Sequence, residues 1–222
     1  MNKPVFEILF DIGGTYLRAY LIKQGKLVKT IKLKQPSSLV SFKKVFVKLF
    51  DKLSAGRLVS LVDIGVAGRV SGSLVISCSN IPFLKNFDFK TLLPAGVKLI
   101  VDNDARWQLR RILKTRSNLS KIKVLLITLG TGVGRALAIG GLVKKIKKLE
   151  SRELWEREYK LRRYDKSADF VKWLQPRLFK LIKKYRPTVL VLSGGVVEKK
   201  KGLKTELCKL ENIKGVRVLV VD

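Results

Sequence analysis

Short apolar runs separated by glycine-containing turns set the rhythm of this chain. Residues 5–10 are almost wholly apolar and read as a buried strand; 16–22 read as a second and 27–33 as a third. The period then changes. Leu39, Phe42, Phe46, Leu49 and Leu53 fall on one helical stripe, which predicts a helix near 38–53 with Ser37 or Ser38 as its cap. Strands are expected near 58–66 and 97–102. Between them, residues 71–94 carry Gly, Ser, Asn and Pro and read as an insertion rather than as part of the core. A helix near 104–115 joins this half to a second that repeats the order. Strands are predicted near 123–128 and 135–139, a short piece near 142–146, and helices near 149–163 and 168–185. A strand at 188–192, a helix near 202–210 and a strand at 216–221 complete it. Leu154, Trp155, Tyr159, Leu161 and Tyr164 lie near helical spacing and are expected to form the core face of the helix near 149–163. Pro176 lies inside the next helix, so a kink or break is expected there. Alternating strands and helices give an α/β class in two similar lobes, 1–115 and 116–222.

The turns between these strands carry the candidate chemistry. Asp11-Ile12-Gly13-Gly14-Thr15 places an acid, two glycines and a hydroxyl between the first two strands. Adjacent glycines let the backbone come close to a ligand, and such a turn offers N–H groups to phosphate oxygens. A second copy, Gly130-Thr131-Gly132-Val133-Gly134, stands in the same relation to its own strands. No helix is predicted directly after it and no Gly-Lys-Ser/Thr follows, which excludes both the Rossmann fingerprint and the P-loop. A third glycine element, Ser193-Gly194-Gly195-Val196, follows the strand at 188–192, at the strand end where α/β proteins hold ligands. Two strand–turn–strand units in one chain point to a duplicated fold that clamps phosphates between its halves.

In this order the segments resemble a sugar kinase of the ROK group, within the actin/hexokinase/Hsp70 superfamily. Asp11 to Thr15 matches the first phosphate motif, Gly65-Val66-Ala67-Gly68 the Gly-x-x-Gly segment and Ser79-Asn80-Ile81-Pro82 the sugar-side Asn-Leu-Pro segment. Val101-Asp102-Asn103-Asp104-Ala105 resembles the catalytic Asn-Asp motif. Thr128 to Gly134 matches the second phosphate motif, and Ser193 to Val196 the adenosine-side Gly-Gly. The resemblance implies an actin-like (ribonuclease H-like) ATPase fold, two lobes around a nucleotide cleft. It implies an ATP-dependent phosphotransferase with an alcohol acceptor, moving the γ-phosphate to a hydroxyl of a sugar or sugar-like molecule. Amides of Gly13, Gly14, Thr15, Thr131 and Gly132 would clamp the ATP phosphates, and Gly194 and Gly195 would admit adenosine. Asp11 would hold Mg²⁺ directly or through water. Asp104 would take the proton of the attacking hydroxyl, and Asn80 and Asn103 would bind substrate hydroxyls. Asp104 also suits a helix cap, and Asp102 suits either task.

The chain departs from the family after the second phosphate motif. It has no histidine, and Cys78 and Cys208 have no ligand spacing, so no zinc is expected. Gly141-Leu142-Val143 runs almost directly into Lys148-Leu149-Glu150-Ser151, as if the zinc/histidine segment were deleted. Glu150 is then the candidate sugar ligand on that side. The family's final helix is also expected to be missing after the strand at 216–221.

Charge adds a third reading. There are 47 Lys+Arg against 17 Asp+Glu, a formal net charge of +30. Residues 1–110 hold 18 basic and 7 acidic side chains, and 111–222 hold 29 and 10. Such a field favours anionic partners. The lysines are spread over nearly every element, which favours a solvated surface over a nucleic-acid stripe. Three function classes therefore stand: a sugar kinase, an ATP-binding switch or ATPase of the same fold, and a basic nucleic-acid-associated protein. No apolar run approaches a membrane span, and the N-terminus does not read as a signal peptide. Two cysteines without a pairing pattern fit a reducing cytoplasm. The partner expected is a small sugar-like molecule, with homo-oligomerisation left open.

Overall fold

The computed structural model describes residues 5–151, 153–210 and 215–221. The chain divides into two compact units, Met1–Trp107 and Gln108–Asp222. In the first, β1 (Val5–Ile12), β2 (Tyr16–Lys23) and β3 (Lys26–Lys34) form an antiparallel meander. After α1 (Leu39–Ser54) the chain returns as β4 (Leu58–Val66), parallel to β1, and later as β8 (Lys98–Asn103), parallel to β4. The strand order is β3-β2-β1-β4-β8. The second unit repeats this plan with β9 (Lys123–Leu129), β10 (Val133–Ile139), β11 (Leu142–Lys144), β12 (Val189–Ser193) and β13 (Arg217–Val220). Its order is β11-β10-β9-β12-β13, with the same strand senses. The duplication inferred from the two glycine turns is thus present strand for strand.

Local sequence explains most elements. Ser38 caps α1, with its Oγ accepting from the Ser41 amide while Ser41 Oγ accepts from the Ser38 amide, a reciprocal capping box. The α1 stripe buries Phe42, Phe46, Leu49, Phe50 and Leu53. Phe46 stacks on Phe10 of β1, with ring centroids 4.2 Å apart. In β12 all five residues are buried, as a central parallel strand covered on both faces requires.

Three expectations are corrected. The segment at 71–94 is core, not a surface insertion. It holds β5 (Arg69–Ser71), β6 (Leu74–Ser77) and β7 (Phe87–Asp88), a small three-stranded sheet. Its Val75, Ile81, Leu84 and Phe89 are buried with the α1 face. Their spacing follows neither 2 nor 3.6, so periodicity missed them. The helix near 149–163 is two pieces, α3 (Lys147–Glu150) and α4 (Trp155–Arg162). On α4 the inward residues are Glu156 and Tyr159, while Leu154 (84%), Leu161 (74%) and Tyr164 (75%) are exposed. Tyr159 is fully buried and Trp155 partly buried against the core, as expected, while Glu156 also turns in, to pair with buried Arg135. Finally, α5 (Ser167–Tyr185) runs unbroken through Pro176. Phe170, Leu174, Leu178 and Leu181 bury one face along its length, and tertiary packing of that kind outweighs one lost backbone hydrogen bond. The other helices are α2 (Asp104–Thr115), α6 (Gly195–Lys199) and α7 (Leu203–Cys208).

Candidate functional site

In the first unit, sheet register assembles the candidate residues. Asp11, Gly65 and Asp102 are cross-strand partners in one row, and Ile12, Val66 and Asn103 form the next. In-register neighbours on adjacent strands project to the same face. That face carries α2, whose Trp107 ring occupies the space over Gly65. A Cβ there would lie 2.8 Å from the indole, so only glycine fits. The turn Gly13-Gly14-Thr15 closes at this strand end, with the Gly13 amide donating to Tyr16 O at 3.0 Å. Gly14 lies against Asn80: a Cβ on it would sit 3.0 Å from the Asn80 Cβ. The Gly13-Gly14 turn and Asn80 therefore touch, although 66 residues separate Gly14 from Asn80 in sequence.

The strand-to-helix corner from β8 into α2 sorts its three polar residues into separate tasks. Asp102 Oδ1 accepts from the Asn103 amide (2.8 Å) and from Arg106 Nε (2.6 Å), in an ion pair with a buried arginine. Asn103 is the helix cap: its Oδ1 accepts from the amides of Ala105 and Arg106, and its Nδ2 donates to Gly68 O. Asp104 accepts from the Ala105 amide at 2.9 Å and forms no ion pair among the described residues. Burial, with the nearby Asp11 carboxylate second, raises its pKa to about 7. Of the two rival bases, Asp102 is thus neutralised by Arg106, whereas Asp104 holds a carboxyl that changes charge near neutral pH. The cap reading belongs to Asn103, which keeps one amide hydrogen beyond its bond to Gly68.

Asp11 is salt-bridged to its cross-strand partner Arg18, Oδ2 to Nη1 at 2.7 Å. A magnesium ion beside donor phosphates would find one carboxylate here already shared with a guanidinium. Among the described residues no cluster of three or more His, Cys, Asp or Glu side chains forms a metal cage. This donor set fits an ion that keeps its water shell and takes phosphate oxygens as its main ligands. Cys78 is buried, donates to Ala67 O at 3.1 Å and has its pKa pushed up to about 11 by burial. A thiol held protonated in this way is neither metal ligand nor nucleophile.

In the second unit, the turn from Gly130 to Gly132 joins β9 to β10 and is closed by the Gly130 amide donating to Gly132 O at 2.9 Å. Its carbonyls are held from behind. The buried Tyr159 hydroxyl donates to Gly130 O at 2.9 Å, and Arg163 Nη1 donates to Gly130 O and Thr131 O, each at 3.2 Å. Gly194 has φ of 112°, and a Cβ on it would lie 2.7 Å from Leu129 O, so the third glycine element packs directly on the strand that leads into this turn. Gly195 opens α6, and a Cβ there would meet nothing within 4 Å. The two glycines differ accordingly: Gly194 is demanded by packing, while Gly195 borders open space. Glu150 ends α3, whose last turn is anchored by Arg135 Nε donating to Leu149 O at 3.2 Å.

Sequence reasoning passed over Arg18, Arg106 and Arg163, and read Tyr159 only as part of a helix's core face. Arg18 was readable from the hairpin register once the turn was assigned, and Arg106 from its i+4 spacing to Asp102. The bonds of Tyr159 and Arg163 to the glycine turn left no local signal, because their partners lie about 30 residues away in sequence.

Comparison with known proteins identifies the family and the fold. A model of the ROK family matches residues 8–145. A glucokinase of Streptomyces coelicolor is 27% identical over 143 residues, which are 61% of this chain and 44% of that enzyme. The chain thus aligns with less than half the length of this curated relative. The inorganic polyphosphate/ATP-glucomannokinase from Arthrobacter sp. strain KM superposes with a TM-score of 0.81 at 22% identity, over 99% of this chain and 92% of that one. The ROK family glucokinase from Streptomyces griseus, solved with glucose and AMPPNP, superposes with a TM-score of 0.72 at 19% identity, over 97% and 94%. The fold is the duplicated actin-like ATPase fold, and the chain belongs to the ROK family.

Proposed function

We propose that this chain is a phosphotransferase that moves the terminal phosphate of ATP to a hydroxyl of a sugar. The observation that carries the reading is Asp104: an acid without an ion pair among the described residues, raised to about 7, next to the capping Asn103 and in the same unit as the turn that touches Asn80. A group that titrates near working pH is suited to general-base catalysis. The substrate hydroxyl oxygen attacks the γ-phosphorus, the bond to the bridging β–γ oxygen breaks, and ADP departs with that electron pair. The hydroxyl proton passes to the Asp104 carboxylate. Phosphoryl transfer needs little covalent help beyond this, and positioning and charge neutralisation supply the rest. Amides of Gly13, Gly14 and Thr15, and of Thr131 and Gly132, take the donor phosphates. Asn80 and the remaining Asn103 amide hydrogen orient the acceptor, with Glu150 as a further acceptor ligand. Asp11 would hold magnesium, directly or through water, and the ion would supply charge neutralisation on the phosphates. Gly194 and Gly195 would let adenosine approach the second unit.

A second donor is favoured by a specific observation. The formal charge is +30, and a polyphosphate/ATP-glucomannokinase superposes over 99% of the chain. A strongly cationic protein attracts a phosphate chain as readily as a nucleotide. The test is transfer to glucose, mannose and amino sugars from ATP or from inorganic polyphosphate, in the wild type and in Asp104→Asn. Expected is sugar-dependent transfer that the variant loses by about a thousandfold or more, while ADP affinity measured by calorimetry stays nearly constant. Turnover retained in Asp104→Asn overturns the base assignment, and ATP hydrolysis indifferent to every sugar moves the protein to the ATPase class.

A further inference from the structure

Arg163 stands apart from the other cations of its helix. Its neighbour Arg162 is paired with Glu158 and Asp165 on the surface. Arg163 is half-buried and forms no ion pair among the described residues. Its Nη1 donates to the carbonyls of Gly130 and Thr131, its Nη2 donates to the Tyr164 hydroxyl at 2.7 Å, and its Nε is buried without a hydrogen bond among them. Lys200 Nζ holds the Arg163 carbonyl at 3.1 Å, which brings a second cation to the same place. A guanidinium half-withdrawn from water, with no carboxylate partner among the described residues, favours groups nearby that offset its charge.

The two carbonyls it holds point to those groups. Gly130 C=O and Thr131 N–H belong to one peptide group, and Thr131 C=O and Gly132 N–H to the next. In a trans peptide the C=O and N–H point in opposite directions. Drawing both carbonyls toward the guanidinium therefore directs both N–H groups away from it, and the cation polarises each peptide so that its N–H becomes a stronger donor. We propose that Arg163 is the positioning residue of the second phosphate turn, aiming and polarising the Thr131 and Gly132 amides for the phosphates of the donor, whose charge its own balances through two peptide groups. The inference rests on the reading of this turn as a phosphate site. Tyr159 donates to Gly130 O as a neutral brace; burial raises its pKa, so the hydroxyl stays a donor.

The experiment is calorimetric titration of the full chain with ADP, AMP and tripolyphosphate at two salt concentrations, for wild type, Arg163→Met, Arg163→Lys and Tyr159→Phe. Each variant is checked for an intact thermal transition. Expected is a loss of about tenfold or more for ADP and tripolyphosphate in Arg163→Met, a smaller loss for AMP, and a shallower salt dependence. Arg163→Lys keeps the charge and should recover most of the affinity, and Tyr159→Phe should cost less than Arg163→Met. ADP affinity within about twofold of wild type in a folded Arg163→Met overturns the proposal. So does a loss that is equal for ADP and AMP and matched by Tyr159→Phe, because that pattern describes a neutral brace. Wild-type protein that binds ADP in this Arg163-dependent way but transfers no phosphate to any sugar leaves the inference standing and removes the kinase reading. Wild-type protein that binds neither ADP nor tripolyphosphate overturns both.

Discussion

Asp102, Asn103 and Asp104 are consecutive polar residues with three different fates, and their neighbours decide which. Arg106 claims the first, the helix amides claim the second, and the third keeps a carboxyl raised to about 7. A base must be ionised to accept a proton, so transfer should rise with pH through about 7 and fall away below it. A rate constant across the range from about pH 5 to pH 8 would refute this. The same shift has a stability consequence of definite sign. Folded Asp104 holds its proton up to about 7, whereas the unfolded chain releases it near the ordinary aspartate value of 3.8. Ionisation therefore favours the unfolded state increasingly between these values, and that cost is complete above about 7. Asp104→Asn should gain stability relative to wild type as pH rises from about 4 to about 7 and hold constant beyond. Denaturant midpoints across that range test it. The glycines offer a second contrast. Gly68→Ala would place a Cβ 2.4 Å from Ser77 O and should cost about 1–3 kcal/mol. Gly195→Ala meets nothing within 4 Å and should stay within about 0.5 kcal/mol, as thermal denaturation of the two variants would reveal.

Among the elements, α4 shows how packing overrides a hydrophobic pattern. Of the residues predicted to face inward, Tyr159 and the partly buried Trp155 do so, yet Leu154, Leu161 and Tyr164 are exposed, while Glu156 turns in to meet Arg135. A polar substitution such as Leu161→Glu should therefore shift stability by no more than about 0.5 kcal/mol. By contrast, Phe46→Ala on the α1 stripe removes a fully buried ring stacked on Phe10 and should cost about 3–5 kcal/mol. Equal effects of the two in urea unfolding would mean the α4 orientation is wrong. Elements whose neighbours are near in sequence were legible. The capped α1, the hairpin of β1 and β2, and α2 at 104–115 all follow from local period, caps and turns. The segment at 71–94 was not, because its apolar residues reach the core from a small sheet and tight turns that have no single period.

At the scale of the molecule, one plan is used twice, and a net charge of +30 is laid over it. Like charges at this density repel in the folded state, and added salt screens them. Raising salt from about 50 mM to about 500 mM should raise the thermal midpoint by several degrees; a midpoint that falls or stays level would show the cations to be locally compensated. The amino-acid sequence by itself determined the α/β class, the duplicated order of strands and the three glycine elements, because each depends on residues a few positions apart. It also marked Asp104 as a candidate, but it could not separate that residue from Asp102. Only the tertiary structure set Arg106 against one acid and burial against the other, laid Asn80 on Gly14 and brought Arg163 behind the second turn. Apart from the pairing of Arg106 with Asp102, four positions away, those are encounters between groups far apart in sequence. Their charge and desolvation depend on what surrounds them in space, which no local spacing encodes.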